Sequence, residues 1–181
     1  MENLFKYDYY RYYGTKWNLM GLKYLISDHS LWFLFLLRKS QDESGIFTKP
    51  FVWVLLRRLS KKYGLEISPK TKIGKGLYIG HAYNITVNPK VILGNNINIH
   101  KGVTLGQENR GKRKGTPIIG NNVWIGVNST LVGNIRIGDD VLIAPNSYIN
   151  KDIPSHSIVI GNPCKIIYRE DATKEYINRI V

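Results

Sequence analysis

The stretch TPIIGNNVWIGVNSTLVGNIRIGDDVLI, residues 116–143, decides the fold, because an aliphatic side chain recurs in it at every sixth position. The recurring residues are Ile119, Ile125, Leu131, Ile137, Ile143 and, just beyond the stretch, Ile149. A period of six matches neither the 3.6-residue period of a helix nor the two-residue alternation of a strand. Short repeats of this kind are typical of a parallel β-helix, in which each hexad forms one strand and one turn.

The same step is present closer to the N-terminus. It runs through Ile67, Ile73 and Ile79, and again through Val87, Leu93, Ile99 and Leu105. Two steps are longer, since eight residues separate Ile79 from Val87 and fourteen separate Leu105 from Ile119. Insertions in a solenoid form loops that often carry function. We therefore expect an irregular corner near residue 81 and an extruded loop at QENRGKRKGT, residues 107–116.

Residues 1–65 have helical patterning instead of hexads. One apolar segment runs from Lys16 to Lys39, and a second runs from Pro50 to Tyr63 and is followed by Gly64, as helix boundaries often are. The segment between them, QDESGIFTK at residues 41–49, has the composition of a loop. We therefore predict a helical region at 1–65, a mainly β domain at 66–168 and a tail at 169–181.

Composition excludes several classes of protein. The chain has 181 residues, a single cysteine (Cys164) and a formal net charge of +13. One cysteine allows neither an internal disulfide nor a cysteine-based zinc cluster. No nucleic-acid-binding module is recognisable, so nucleic acid is not an expected partner. Asp28 and His29 interrupt the first segment, so neither uninterrupted apolar run approaches the length of about 20 residues that a membrane span needs. With no signal-peptide pattern at the start, a cytoplasmic location is expected.

Four segments carry a resemblance to a known family: EISPKTKIGKGLYIGHAYNITV (66–87), INIHKGVTLGQ (97–107), TPIIGNNVWIG (116–126) and KDIPSHSIVIGNPCKII (151–167). Together they resemble the serine acetyltransferase branch of hexapeptide acyltransferases, which includes enzymes that acetylate small amino acids and others that acetylate sugars of surface polysaccharides. The resemblance implies a left-handed β-helix, acetyl-CoA as acyl donor, no metal, and a homotrimer with sites between subunits. The phosphates of coenzyme A would account for part of the positive charge.

The resemblance also assigns the catalytic residues. His81 occupies the position of the family's catalytic histidine, and imidazole suits a general base because its usual pKa is close to neutrality. Glu66 stands where the family has an aspartate that orients this histidine, fifteen residues upstream. The alternatives are that His81 is a solvated corner residue and that Glu66 only ends the linker. We interpret His29 and His156 as structural or solvated.

Matching positions also indicate where acetyl-CoA binds. Small residues that allow close backbone approach are expected along the pantetheine arm, with basic residues near the phosphates. These donor-binding candidates are Gly106, Gln107, Gly126, Val127, Ala144, Pro145, Lys165 and Arg169. Lys165 and Arg169 could instead belong to a solvated tail. The basic run RGKRK, residues 110–114, has three interpretations: contact with coenzyme A phosphates, contact with an anionic glycan, or simple solvation.

The acceptor is expected to be a sugar hydroxyl in surface-polysaccharide synthesis, bound by Tyr83, Asn84, His100 and Thr116. The reason is that serine enzymes of the family have an acidic residue and a second histidine where this chain has Gly80 and Thr116. Serine O-acetylation is the alternative, and a noncatalytic scaffold is the third hypothesis. The N-terminal half, with Arg57, Arg58, Lys61 and Lys62, is expected either to contact a membrane surface peripherally or to pack on the β-helix.

Overall fold

The computed structural model describes residues 4–42 and 48–181. Four helices occupy the N-terminal part: α1 (Phe5–Tyr13), α2 (Leu22–Ser27), α3 (His29–Gln41) and α4 (Lys49–Tyr63), with a short 3-10 turn at Leu19–Gly21 before α2. Helix α1 lies in a tyrosine-rich segment that apolar patterning alone did not single out. Of the loop predicted at 41–49, residues 43–47 lie outside the described residues.

Fifteen short strands follow the helices. In chain order they are β1 (Leu65–Ile67), β2 (Lys72–Ile73), β3 (Tyr78–Gly80), β4 (Ile85–Val87), β5 (Ile92–Leu93), β6 (Asn98–His100), β7 (Thr104–Gly106), β8 (Ile118–Ile119), β9 (Val123–Ile125), β10 (Thr130–Val132), β11 (Arg136–Ile137), β12 (Val141–Ile143), β13 (Tyr148–Ile149), β14 (Ser157–Ile160) and β15 (Lys165–Tyr168). They form three parallel sheets, and only β15 runs antiparallel to its neighbour β14.

Each sheet is one face of the solenoid. Face A has the order β1-β4-β7-β10-β13, face B has β2-β5-β8-β11, and face C has β3-β6-β9-β12-β14-β15. Every third strand stacks on the same face, as three hexads to a coil require. The prediction of a mainly β, left-handed parallel β-helix with a helical N-terminal region is confirmed.

The register shows where the two irregular steps go. Thr130 pairs with Tyr148, 18 residues later, which equals three hexads. Leu65 pairs with Ile85, 20 residues later, because the eight-residue step adds two. Asn98 pairs with Trp124, 26 residues later, because the extruded loop adds eight residues to the usual 18. The irregular steps therefore interrupt the corners and leave the stacking of the faces intact.

A column of aliphatic side chains fills the solenoid. On face C, Ile79, Ile99, Ile125, Ile143 and Val159 stack in register and are buried. Full burial of one such side chain stabilises a fold by about 1.5–3 kcal/mol. Asparagine at the corners supports this stacking, since Asn96, Asn122, Asn128 and Asn146 adopt a left-handed backbone, which asparagine tolerates better than most residues.

The helical region covers the open edge of the first coil, where no lower coil exists to pair with the backbone. Arg38 donates to the carbonyls of Ile73 (3.0 Å) and Gly74 (2.6 Å), and Asp8 accepts the Leu77 N–H (2.8 Å). Gln41 donates to the carbonyls of Pro69 and Thr71. Unpaired strand edges are prone to aggregation, and native folds often cover them. These helices act as the cap of the solenoid.

A buried ion pair connects two helices of the cap. Arg38 Nε lies 2.7 Å from Asp8 Oδ2, and Arg38 Nη2 donates to Asp8 Oδ1 at 3.1 Å. Both side chains are almost fully buried. The pair links α1 to α3, and its remaining hydrogen bonds reach the first coil.

Not all of the helical surface is covered. Helix α4 buries only Leu56 and exposes Phe51, Trp53 and Val54, with Arg57 over the Trp53 ring at 5.1 Å. Within residues 4–42 and 48–181, none of the helices is both long and apolar enough to cross a membrane. The helices pack on the solenoid, and the expected membrane-surface contact gains no support from this arrangement.

Candidate active site

His81 lies at the corner between faces C and A, in the longer step of eight residues. Its backbone is left-handed, with φ 52°, and its carbonyl accepts the Tyr83 N–H at 2.7 Å. The side chain is exposed. An exposed imidazole at an irregular corner can reach a substrate, and its left-handed backbone is the conformation that Asn96 and Asn122 adopt at other corners.

His100 lies one coil above, beside His81. Gly80 and His100 are paired in register, and a side chain on Gly80 would collide with the His100 imidazole. The ring also packs against Trp124, with centroids 4.7 Å apart. Burial, together with the neighbouring His81, lowers the pKa of His100 to about 4. This imidazole is therefore neutral at physiological pH, and its buried Nε2 has no hydrogen-bond partner among the residues that the structure describes.

The same corner carries several of the residues predicted to bind acetyl-CoA. Val127 lies just after β9 and Pro145 just after β12, as His81 lies just after β3. Backbone hydrogen bonds connect successive corners: Asn128 N donates to Lys101 O (3.0 Å), and Asn146 N donates to Val127 O (2.9 Å). Gly126 is required by the fold itself, since a side chain there would meet the backbone nitrogen of Pro145. The corner is thus a narrow ledge that leads from His81 past the exposed Lys101 to Val127 and Pro145.

Arg169 shares a cavity with Ala144. This cavity, of about 600 Å³, lies on face C and is also lined by Leu142, Ile160 and Tyr176. It places the predicted pantetheine contact Ala144 beside the predicted phosphate contact Arg169, and the acidic residues Glu170, Asp171 and Glu175 line it as well. Lys165 begins the neighbouring strand β15 and is exposed.

Glu66 is placed differently. It lies outward on face A, in register with Thr86, and lines a cavity of about 490 Å³ together with Gly106. Neither a hydrogen bond nor an ion pair connects Glu66 to His81 in the part of the chain that the structure describes. The orienting role of Glu66 stays a prediction.

The extruded loop lies at the corner between faces A and B. It folds back on itself through a bridge between Glu108 and Gly115, and Arg113 donates to the carbonyl of Asn150 two coils above. Gln107 donates to Asn109, and Thr116 donates to the carbonyl of Lys90 at 3.1 Å. Within one chain these residues are separated from His81 by the whole of face A.

An aromatic cluster that sequence patterning missed surrounds the His81 corner from below. His29, at the start of α3, stacks on Tyr63 with centroids 4.2 Å apart and packs against Tyr83 at 5.0 Å. His29 Nε2 lies 3.2 Å from the carbonyl oxygen of Ala82. No local signal indicates this contact, because the two residues are 53 positions apart.

The described residues include no group of three or more His, Cys, Asp or Glu side chains that could hold a metal ion. Among these described residues, His81 and His100 are a pair without the further ligands that a zinc site requires.

Comparison with known proteins identifies relatives. The family model for bacterial transferase hexapeptide (six repeats) matches residues 116–151. Serine acetyltransferase 2 of Arabidopsis thaliana is 34% identical over 137 residues, which are 70% of this chain and 42% of the relative. Serine acetyltransferase of Staphylococcus epidermidis is 38% identical over 117 residues, 64% of this chain and 55% of the relative. The chain thus spans about half the length of the curated relatives that it matches.

The fold comparison agrees. The crystal structure of Neisseria gonorrhoeae serine acetyltransferase in complex with serine superposes with a TM-score of 0.72 at 30% identity. The match covers 91% of this chain and 67% of that one.

The expected sugar acceptor is wrong, because these relatives and this neighbour are serine acetyltransferases. In the structure, the residues that suggested a sugar site make contacts within the chain. The space over Gly80 is filled by His100, Thr116 is bonded to Lys90, and Tyr83 packs in the aromatic cluster. The expected role in polysaccharide synthesis and the expected glycan partner are therefore not supported either.

Proposed function

Because the chain belongs to the hexapeptide-repeat acyltransferases of the serine acetyltransferase type, we propose that it transfers the acetyl group of acetyl-CoA to the hydroxyl of L-serine. The observation that carries the proposal is the position of His81, an exposed imidazole at the irregular corner of the solenoid. Serine was the alternative acceptor, and it is the one named in the relatives.

His81 acts as the general base. Its imidazole takes the proton of the serine hydroxyl while the serine oxygen attacks the thioester carbonyl of acetyl-CoA. The tetrahedral intermediate then expels the coenzyme A thiolate as the carbonyl re-forms. The imidazolium returns its proton to the thiolate, so the products are O-acetylserine and free coenzyme A. Direct transfer of this kind requires no acyl-enzyme.

Acetyl-CoA is the donor substrate in this proposal. The ledge from His81 through Val127 to Pro145 would carry the pantetheine arm, and the cavity between Ala144 and Arg169 would lie towards the phosphates. Gly106 and Gln107 would contribute from face A of another copy. The basic residues of the extruded loop also face solvent, and we assign them no role in donor binding.

The donor and acceptor sites lie between copies of the chain. His81 is on the C/A corner, whereas Glu66 and Gly106 line a shallow cavity on face A and Thr116 lies beyond it. A thin solenoid alone encloses little volume, and small-molecule sites are normally concave. A homotrimer, in which face A of one copy meets the C/A corner of the next, would combine these residues.

Thiol release from acetyl-CoA tests the proposal. We expect release that depends on L-serine, with O-acetylserine as the product by mass spectrometry, and no release with glycine, which lacks the hydroxyl. The rate should be unchanged after treatment with a chelator. Absence of serine-dependent release from protein that binds acetyl-CoA would refute the acceptor, and loss of activity that zinc restores would refute a metal-free mechanism.

A further inference from the structure

We infer that His29 is a positioning residue for His81, and that the N-terminal cap orients the catalytic corner as well as covering the solenoid. The inference rests on the proposed function, because it takes His81 as the base. It concerns a residue in the helical region, outside the hexapeptide repeats.

The corner at residues 81–84 depends on outside support. His81 and Asn84 both adopt a left-handed backbone, which costs a non-glycine residue free energy unless its surroundings hold it. On its upper side the corner bonds to the next coil, through Lys101 N to Gly80 O (3.1 Å) and Gly102 N to Tyr83 O (3.0 Å). On its lower side the solenoid has no complete coil.

The cap supplies the missing partners. The Tyr12 hydroxyl donates to the Ile79 carbonyl and accepts the Ile79 N–H, both at 2.9 Å. The Tyr63 carbonyl accepts the Asn84 N–H at 2.9 Å. Between these two contacts lies His29 Nε2, 3.2 Å from the Ala82 carbonyl. A carbonyl can only accept, so Nε2 carries the proton in this contact.

His29 is itself held firmly. Its ring stacks on Tyr63 and packs against Tyr83. Asp28, the residue before it, caps α3 by accepting the N–H groups of Ser30 (2.8 Å) and Leu31 (3.3 Å). A rigid donor therefore fixes the carbonyl of Ala82, which directly follows His81. A small displacement of a catalytic group is enough to lower turnover by about 10²-fold.

Two substitutions separate the hydrogen bond from the ring. His29→Phe keeps an aromatic ring against Tyr63 but has no donor, whereas His29→Gln places an amide N–H near the position of Nε2 without the ring. Gln41→Leu is the matched control, since Gln41 also donates to first-coil carbonyls but at Pro69 and Thr71, away from His81.

The readouts are kcat, the KM for acetyl-CoA, the melting temperature, and the NMR resonance of His81 Cε1–Hε1. We expect His29→Phe to lower kcat about 10- to 100-fold at unchanged KM and to shift the His81 resonance. His29→Gln should recover most of kcat, and Gln41→Leu should lower only the melting temperature.

Two results would overturn the inference: a kcat for His29→Phe within twofold of wild type, or equal losses in His29→Phe and His29→Gln. The variant His81→Ala separates this failure from that of the proposed function. If His81→Ala retained full turnover, the assignment of His81 as the base would be wrong. The positioning role of His29 would then be tested by the His81 resonance alone. A resonance unchanged in His29→Phe would then reject the positioning role, and a shifted one would support it.

Discussion

At the scale of single residues, His100 shows how the fold changes the chemistry of a side chain. Its ring fits between Trp124 and the backbone of Gly80, and burial lowers its pKa to about 4. The unfolded chain would titrate near the ordinary value of 6.5. Between these two values the unfolded chain binds a proton that the folded chain does not. The contribution of His100 to stability therefore falls as the pH drops through this window.

The consequence is measurable in the melting temperature. His100→Phe removes the titrating group but keeps a ring beside Trp124, so its melting temperature should fall less between pH 7 and pH 4 than that of the wild type. Thermal unfolding at a series of pH values checks this. Parallel curves for the two proteins would show that His100 does not supply the pH dependence.

At the scale of elements, the sequence predicted the solenoid far better than its cap. The six-residue period depends only on local spacing, and strands stack wherever the period holds. The cap depends on contacts such as Arg38 to Gly74 and Tyr12 to Ile79, which join distant residues. Neither helical periodicity nor composition indicates which carbonyl a given arginine will reach. Helix α1 lies within the helical region predicted at 1–65, but its contacts with the first coil, such as that of Tyr12, were not predictable from the sequence.

Substitution in the buried pair of Asp8 and Arg38 tests whether this ion pair stabilises the cap. Replacing Asp8 by Asn leaves the buried guanidinium without its counter-charge and weakens the bond to Leu77 N. Breaking a buried pair by removing one partner costs about 3–5 kcal/mol. Denaturant unfolding should show a loss of this size for Asp8→Asn.

The control for this prediction is the exposed pair of Lys174 and Asp171. Lys174→Met should leave the unfolding midpoint unchanged, because exposed pairs contribute little. An Asp8→Asn midpoint as high as that of the control would mean that the cap is not held by the ion pair.

At the scale of the whole molecule, one chain does not assemble all of the predicted site. His81, Val127 and Pro145 share a corner, and Ala144 shares a cavity with Arg169, but Glu66, Gln107 and Thr116 lie elsewhere. The eight-residue step marked the corner of His81, and the family resemblance implied its catalytic role, which stays a prediction. The acceptor was misassigned, because the lack of an acidic residue at position 80 and of a histidine at position 116 was interpreted as excluding serine.

The division of the site predicts the assembly. We expect light scattering to give a mass of about three chains, since closed symmetric oligomers are the rule for soluble proteins with shared sites. Dilution to monomer should abolish turnover. A monomer with full activity would contradict a site formed between copies.

The most direct test of the account is the turnover of His81→Ala with L-serine, measured beside its affinity for acetyl-CoA. We expect kcat to fall by roughly 10²–10⁴-fold, because the general base is gone, while the dissociation constant of acetyl-CoA stays within a few-fold of the wild type. A His81→Ala protein that acetylates serine at a near-normal rate would contradict the account.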